Sequence, residues 1–197
     1  MARPKTYDRQ EALSKAQNAF WQYGYESLGV RAIETETGLN RFAIQTDFGG
    51  KEGLFREVLE KYTKDSCTIL INPLRTGGLE AIRKFFYEVI SPKESDQRVF
   101  GCLMVNTVVE NAAKKNIAFK ALTDFHFDQL TAAFAAALVN ARSDKQLRND
   151  IVIKDAAAFL LCVVMGIQVC IRMNGLLGPA QQQTKIALQA IESWRVS

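Results

Sequence analysis

The stretch VRAIETETGLNRFAIQTDFGGKEGLF, residues 30–55, decides how the chain folds. Val30 and Ile33 give a short apolar face that stops at Gly38, and glycine there suits the left-handed backbone of a sharp turn between helices. Asn40 is an N-cap residue for a second short helix, whose inward positions Ile44 and Phe48 lie four apart on one face. Gly49 and Gly50 end that helix. Lys51, Leu54 and Phe55 start a longer one that continues through Val58, Leu59 and Tyr62, with Pro73 expected to terminate it. On the other side, Ala12, Leu13, Ala16, Ala19, Phe20 and Tyr23 form the stripe of a helix over about 8–23, stopped by Gly24. Two short helices around a glycine turn, braced by a longer helix on either side, match a helix-turn-helix, whose second helix lies in the DNA major groove.

Outward from this unit the spacing of three and four persists and strict alternation is nearly absent, which is the helical period. Leu79, Ile82, Phe85, Phe86 and Val89 predict a helix ending near Ser91-Pro92, and further helices fall at about 99–114, 117–142, 152–174 and 180–195. The expected fold is all-α with about nine helices: an N-terminal helix-turn-helix (three-helix) DNA-binding domain within residues 1–64, then a helical bundle over residues 65–197. The apolar run 156–171 is broken only by Gln168, and its 16 residues fall short of the roughly 20 that span a bilayer. It is expected to be a helix buried on most sides, with no membrane as partner.

Composition narrows the function. Hydrophobic residues at 48% and charged residues at 23% suit a globular chain, and only 12 Gly and 4 Pro among 197 residues argue against disorder or a loop-rich β fold. Cys67, Cys102, Cys162 and Cys170 form no CxxC pair and His126 is the single histidine, so neither structural zinc nor another metal or cofactor is expected. The polar N-terminus, residues 1–8, does not resemble a signal peptide, and the thiols are expected to be reduced in a cytoplasmic protein. With one histidine and no GxSxG, HExxH or glycine-rich phosphate loop, an enzyme is not expected. Charge is not decisive: residues 1–64 carry ten Lys or Arg against nine Asp or Glu, so DNA affinity must come from a local basic face.

Gly24-Tyr25, Val30-Arg31-Ala32-Ile33, Thr37-Gly38-Leu39-Asn40-Arg41, Ile44, Phe48 and Lys51-Glu52-Gly53-Leu54-Phe55 closely resemble the N-terminal domain of the TetR/AcrR family of bacterial transcriptional regulators, in order and spacing over about residues 6–66. Gly101-Cys102-Leu103-Met104-Val105-Asn106 resembles a stretch found in one branch of that family. The resemblance implies a nine- or ten-helix fold, a homodimer, and a repressor released from an inverted-repeat operator in double-stranded DNA by a small-molecule effector bound in the C-terminal domain. The alternative is a helical ligand-binding or protein-interaction bundle whose N-terminal domain no longer binds DNA.

By that resemblance the helix-turn-helix spans about 29–48, with 40–47 as recognition helix. Arg41, Gln45 and Thr46 then face DNA, since Ile44 and Phe48 must point inward. Asn40, Phe42 and Arg31 lie on the same surface, Lys51 is expected to meet a phosphate, and Arg3, Lys5 and Thr6 form an arm toward backbone or minor groove. Four positions depart from the family pattern: Gln45 where Tyr is common, Asp47 where His, Tyr or Asn is common, Phe42 where a small residue is usual, and Glu34 where Ala is usual. An acid such as Asp47 beside phosphates is unfavourable unless paired, for which Arg41 or Lys51 is in reach by sequence.

For the effector, Phe86, Phe100, Met104, Phe127 and Met165 offer apolar lining and Cys102, Asn106, Thr107, Glu110, His126 and Gln168 offer polar anchors. Cys102 would be a redox or electrophile sensor if exposed and acidified, with Arg98 near in sequence. The resemblance places the dimer interface on the last two helices, through Phe159, Val163, Gly166, Ile167, Cys170, Leu188, Ile191 and Trp194, with Gly166 permitting close approach.

Overall fold

A computed structural model describes residues 7–91, 99–175 and 177–196. Among them the fold is all-α, with one isolated antiparallel bridge between Leu147 and Arg195. The elements are α1 (Arg9–Tyr23), α2 (Val30–Thr37), α3 (Arg41–Phe48), α4 (Gly50–Ser66), a π-helical turn (Cys67–Ile71), α5 (Asn72–Thr76), α6 (Leu79–Ile90), α7 (Leu103–Lys114), α8 (Ile117–Ser143), α9 (Ile153–Asn174) and α10 (Gly178–Glu192). Because the π turn joins α4 to α5, the described residues form nine helical rods.

Local chemistry sets the ends. The Asp8 carboxylate accepts the Glu11 N–H at 2.8 Å to cap α1, and Gly24 closes it at φ 84°. Gly38, at φ 74°, makes the left-handed turn between α2 and α3 that the sequence predicts. Two boundaries differ from expectation. Pro73 does not stop the α4 rod: the chain widens into the π turn, whose Cys67 carbonyl accepts the Asn72 N–H, and Pro73 then sits in the first turn of α5, where its missing N–H is not needed. The helix expected from about 99 begins only at Leu103, because Gly101 is left-handed at φ 72° and passes so close to α9 that a Cβ would stand 2.6 Å from the Gln168 carbonyl oxygen.

Two cores form. The first joins α1–α4 and extends to Cys102, Leu103, Met104, Val105 and Phe119, so α7 and the start of α8 plug into the helix-turn-helix unit across the boundary expected at residue 64. The second packs α5, α6, α8, α9 and α10 around Phe86, Phe134, Leu138 and Leu160. Three links fasten the end of α1 to the C-terminal part of the chain, of which the one from Arg172 on α9 reaches across to the second core. The Trp21 indole donates to Gly101 O at 2.9 Å, Arg172 donates to Trp21 O and Gln22 O at 3.1 and 3.0 Å, and the Glu110 carboxylate accepts the N–H groups of Tyr25 and Glu26 at 2.8 and 3.2 Å.

The α9 helix extends past its apolar run to 22 residues, long and apolar enough by composition to cross a membrane, while its inner face of Ala157, Leu160, Val164, Ile167 and Ile171 is core. Its outer face is an exposed stripe of Phe159, Cys162, Gly166, Val169 and Met173. Two residues expected at the interface are corrected here: Ile167 and Ile191 are buried in their own protomer, because each lies on the inward face of its helix, α9 and α10 respectively. Phe159 and Trp194 meet edge to face at 5.9 Å, and Val163, Cys170 and Leu188 are half-buried.

Candidate nucleic-acid interface

The recognition helix α3 is divided by its period. Ala43, Ile44 and Phe48 enter the first core, while Arg41, Phe42, Gln45 and Thr46 are exposed, Phe42 by 76%. Asn40 is not free to read bases with its side-chain oxygen, which accepts the Ala43 N–H at 2.8 Å as the N-cap. Glu34, the acid in place of alanine, reaches from α2 to accept the Arg41 N–H at 2.6 Å, satisfying a second open donor at the same helix end. The turn between them is pinned by the buried Thr37 hydroxyl, which donates to Ile33 O at 2.6 Å and accepts the Leu39 N–H at 3.1 Å.

Asp47 is paired, but by neither Arg41 nor Lys51. The Tyr7 hydroxyl donates to its carboxylate, and Arg9 reaches its carbonyl at 3.4 Å while lying 4.5 Å over the Phe48 ring and binding Glu57 through two contacts of 2.8 Å. Partial burial first, and the Asp47 carboxylate second, push the Tyr7 phenol up to about 12, so it remains a donor throughout the physiological range. Tyr7, Arg9 and Glu57 therefore hold the back of the recognition helix. No sequence signal marks them, since their spacing of 38 to 48 residues becomes contact only in the fold.

Arg31 is exposed on α2. Lys51 stands at the α4 start with its ammonium 4.4 Å over the Tyr25 ring, and burial lowers its pKa while Glu26 and Glu110 attract it. In this state its charge is directed to that ring. Arg3, Lys5 and Thr6 lie outside the described residues.

The eleven residues expected around an effector do not enclose one cavity. Phe86 is fully buried in the second core, stacked with Phe134. Met104 is equally buried in the first, with Met165 and Phe127 packed against it. Cys102 is buried, its thiol accepts from the Tyr62 hydroxyl at 3.4 Å, and burial pushes its pKa up, so neither condition set for a sensor, exposure and acidification, is met; Arg98 lies outside the described residues. His126 is 3% exposed beside Tyr62 and Phe127, its Nδ1 has no partner, and burial pushes its pKa down to about 4. Asn106 donates to Phe100 O at 2.9 Å, the Thr107 hydroxyl donates to Leu103 O at 2.8 Å, and Gln168 is half-buried beside Gly101. Glu110 is committed to the α1 terminus, where with Thr107 it lines a small cavity of about 280 Å³. The larger cleft, about 1460 Å³, lies between α6 and α10 and is lined by none of the eleven. The sequence did not single it out because its walls are ordinary amphipathic helix surface.

An exposed polar and aromatic helix face, capped twice at its N-terminus and seated on a glycine turn, defines a helix-turn-helix DNA-binding protein. Residues 12–58 match the family model described as bacterial regulatory proteins, tetR family. Over 189 residues the chain is 26% identical to the HTH-type transcriptional repressor ComR of Escherichia coli, covering 91% of this chain and 87% of that one. It is 27% identical over 161 residues to the repressor AcnR of Corynebacterium glutamicum, covering 82% and 80%. Among solved structures, a cysteine mutant of the TetR family regulator CifR in complex with 26-bp operator DNA superposes with TM-score 0.81 at 25% identity, covering 96% and 99%. A TetR family regulator from Cytophaga hutchinsonii gives 0.84 at 14% identity, covering 96% and 95%, and shares the fold. The DNA-binding unit over residues 12–58 is thus of the tetR family type, and the chain as a whole is similar to HTH-type transcriptional repressors.

Proposed function

We propose that this protein is a sequence-specific DNA-binding transcriptional repressor that works as a cytoplasmic homodimer and is released from an inverted-repeat operator by a small molecule held in its C-terminal domain. The observation that carries the reading is the exposed face of α3, where Arg41, Phe42, Gln45 and Thr46 stand together on a helix whose other side is core. Arg forks onto guanine O6 and N7, Gln onto adenine N6 and N7, Thr meets a phosphate or a thymine methyl, and Phe offers apolar contact to a thymine methyl. The Tyr7 bond to Asp47 supports DNA competence, because it engages the one acid on this helix.

Two copies of α3 about 34–36 Å apart fit successive major grooves, and a ligand that changes this spacing releases the dimer. Family relationship and the exposed α9 stripe support the dimer. Selection from a randomised duplex pool at about physiological salt, where phosphate-only binding is weak, tests the reading. The expected result is enrichment of an inverted repeat. A folded dimer that enriches no sequence would transfer the function to a DNA-incompetent helical bundle.

A further inference from the structure

We infer that the cleft between α6 and α10, walled at one end by the π-helical turn, is a binding site for an amphipathic organic anion, and that its occupancy is transmitted to the helix that carries the DNA-binding unit. For its regulatory meaning the inference rests on the repressor reading, and it gives that reading an effector class and a location.

The chemistry of the walls selects the class. Leu70, Phe85, Ile90 and Leu188 supply an apolar lining. Of the acids on the cleft, Glu80 is held by Arg83 at 2.8 Å, Glu192 by Arg195 at 2.6 Å, and Glu88 is engaged as well. Lys84 on α6, whose charge also acts on Glu80, and Lys185 on α10 stand on facing walls with no close ion pair among the described residues. Thr184, next to Lys185 on α10 and 1% exposed, also lines the cleft, and its hydroxyl has no hydrogen-bond partner. A buried hydroxyl without a partner is unfavourable unless a bound group supplies one. Two ammonium groups outside any close ion pair, one open hydroxyl and an apolar lining together suit a carboxylate or sulfonate on a hydrophobic body. The volume of about 1460 Å³ exceeds that of common small-molecule sites, about 300–1,000 Å³, so such a ligand fills part of the cleft.

Its position gives it a mechanical reach. Ile69 and Leu70 of the π turn line the cleft, and Ile69 is 60% exposed there. A π turn is a rare single-turn interruption of a helix, found frequently at functional sites. From it α4 runs as one helix of 17 residues back to the helix-turn-helix, where Leu54, Phe55, Val58 and Leu59 join the core of α1–α3. None of the exposed α9 stripe lines the cleft, whereas Leu188 of α10, expected at the dimer interface, does.

The test uses the intact protein and anilinonaphthalene sulfonate, a fluorescent amphipathic anion. The expected result is saturable binding that decanoate displaces and dodecyltrimethylammonium does not. The Kd should rise about tenfold or more in Lys84→Glu/Lys185→Glu, whose two exposed positions leave helicity unchanged. Saturating probe is also expected to alter amide hydrogen exchange of residues 67–71 in the parent and not in the variant. Equal probe affinity in both proteins would overturn the site, and unaltered exchange at the turn would overturn the coupling. Neither readout uses DNA, so failure to find an operator refutes the repressor reading without imitating failure here.

Discussion

Arg41 is the side chain on which sequence choice is expected to turn. It is exposed at the start of α3, and its backbone N–H is already bonded to Glu34, so its guanidinium is free of any structural task in α3. Arg41→Ala is therefore expected to leave thermal stability unchanged while costing about 1 to 3 kcal/mol of operator affinity and relaxing choice at one guanine, read by titration against a panel of single-base operator variants. An equal loss on every duplex would make it a phosphate contact instead. His126 makes the opposite kind of prediction, about stability alone. Its folded pKa is pushed down to about 4 against an unfolded value near 6.5, so between these the unfolded chain binds the proton that the folded one refuses. Stability is full above pH about 6.5 and falls as pH drops toward about 4, by on the order of 3 kcal/mol. Denaturant titrations at pH about 7 and about 5 should show this loss in the parent and a smaller one in His126→Phe.

Among the elements, Glu110 shows how α7 is locked to the end of α1. Its carboxylate accepts two backbone N–H groups just past α1, beside a Gly24 whose positive φ and crowding against that carboxylate leave no room for a side chain. Glu110→Ala is expected to remove about 1 to 3 kcal/mol and lower Tm by several degrees, with Glu110→Gln, which keeps an acceptor, recovering part of it. An unchanged Tm for the alanine variant would show that water satisfies those groups equally well. This contact also marks where sequence reasoning stops. Gly38, Asn40, Ile44 and Phe48 are legible because each carries a local rule, a left-handed turn, a cap, or a spacing of four, and the structure places each accordingly. Glu110, Tyr7 and Arg172 make contacts across 40 to 151 residues, and nothing local in the chain encodes them. Pro73 misleads for a related reason: the helix-breaking rule holds for an α-helical ring, and the chain escapes it by widening to a π turn. Expected effector residues such as Phe86 and Met104 mislead because an apolar position on an inward helix face reads the same whether it lines a cavity or fills it.

The whole molecule has one surface that a single protomer does not explain. Phe159, Cys162, Gly166, Val169 and Met173 form a stripe along the outside of α9, with Met173 79% exposed, opposite a face already buried in the core. Gly166 carries the argument further. No atom lies within 4 Å of where its Cβ would be, so the protomer itself has no use for a glycine in mid-helix, where it is unfavourable relative to alanine by roughly 0.5–1 kcal/mol. A second copy of α9 crossing closely at this point would make the missing side chain useful, and would cover the stripe at the same time. Val169→Asp/Met173→Asp is then expected to leave helicity intact, since both side chains are exposed, while burying charge at the proposed interface. Light scattering should report a monomer. Operator binding should fall toward the non-specific range, Kd about 10⁻⁴–10⁻⁶ M at physiological salt, because a lone recognition helix reads only half of an inverted repeat. A variant that remains a dimer with full operator affinity would place the interface on another face and leave the α9 stripe for a different partner.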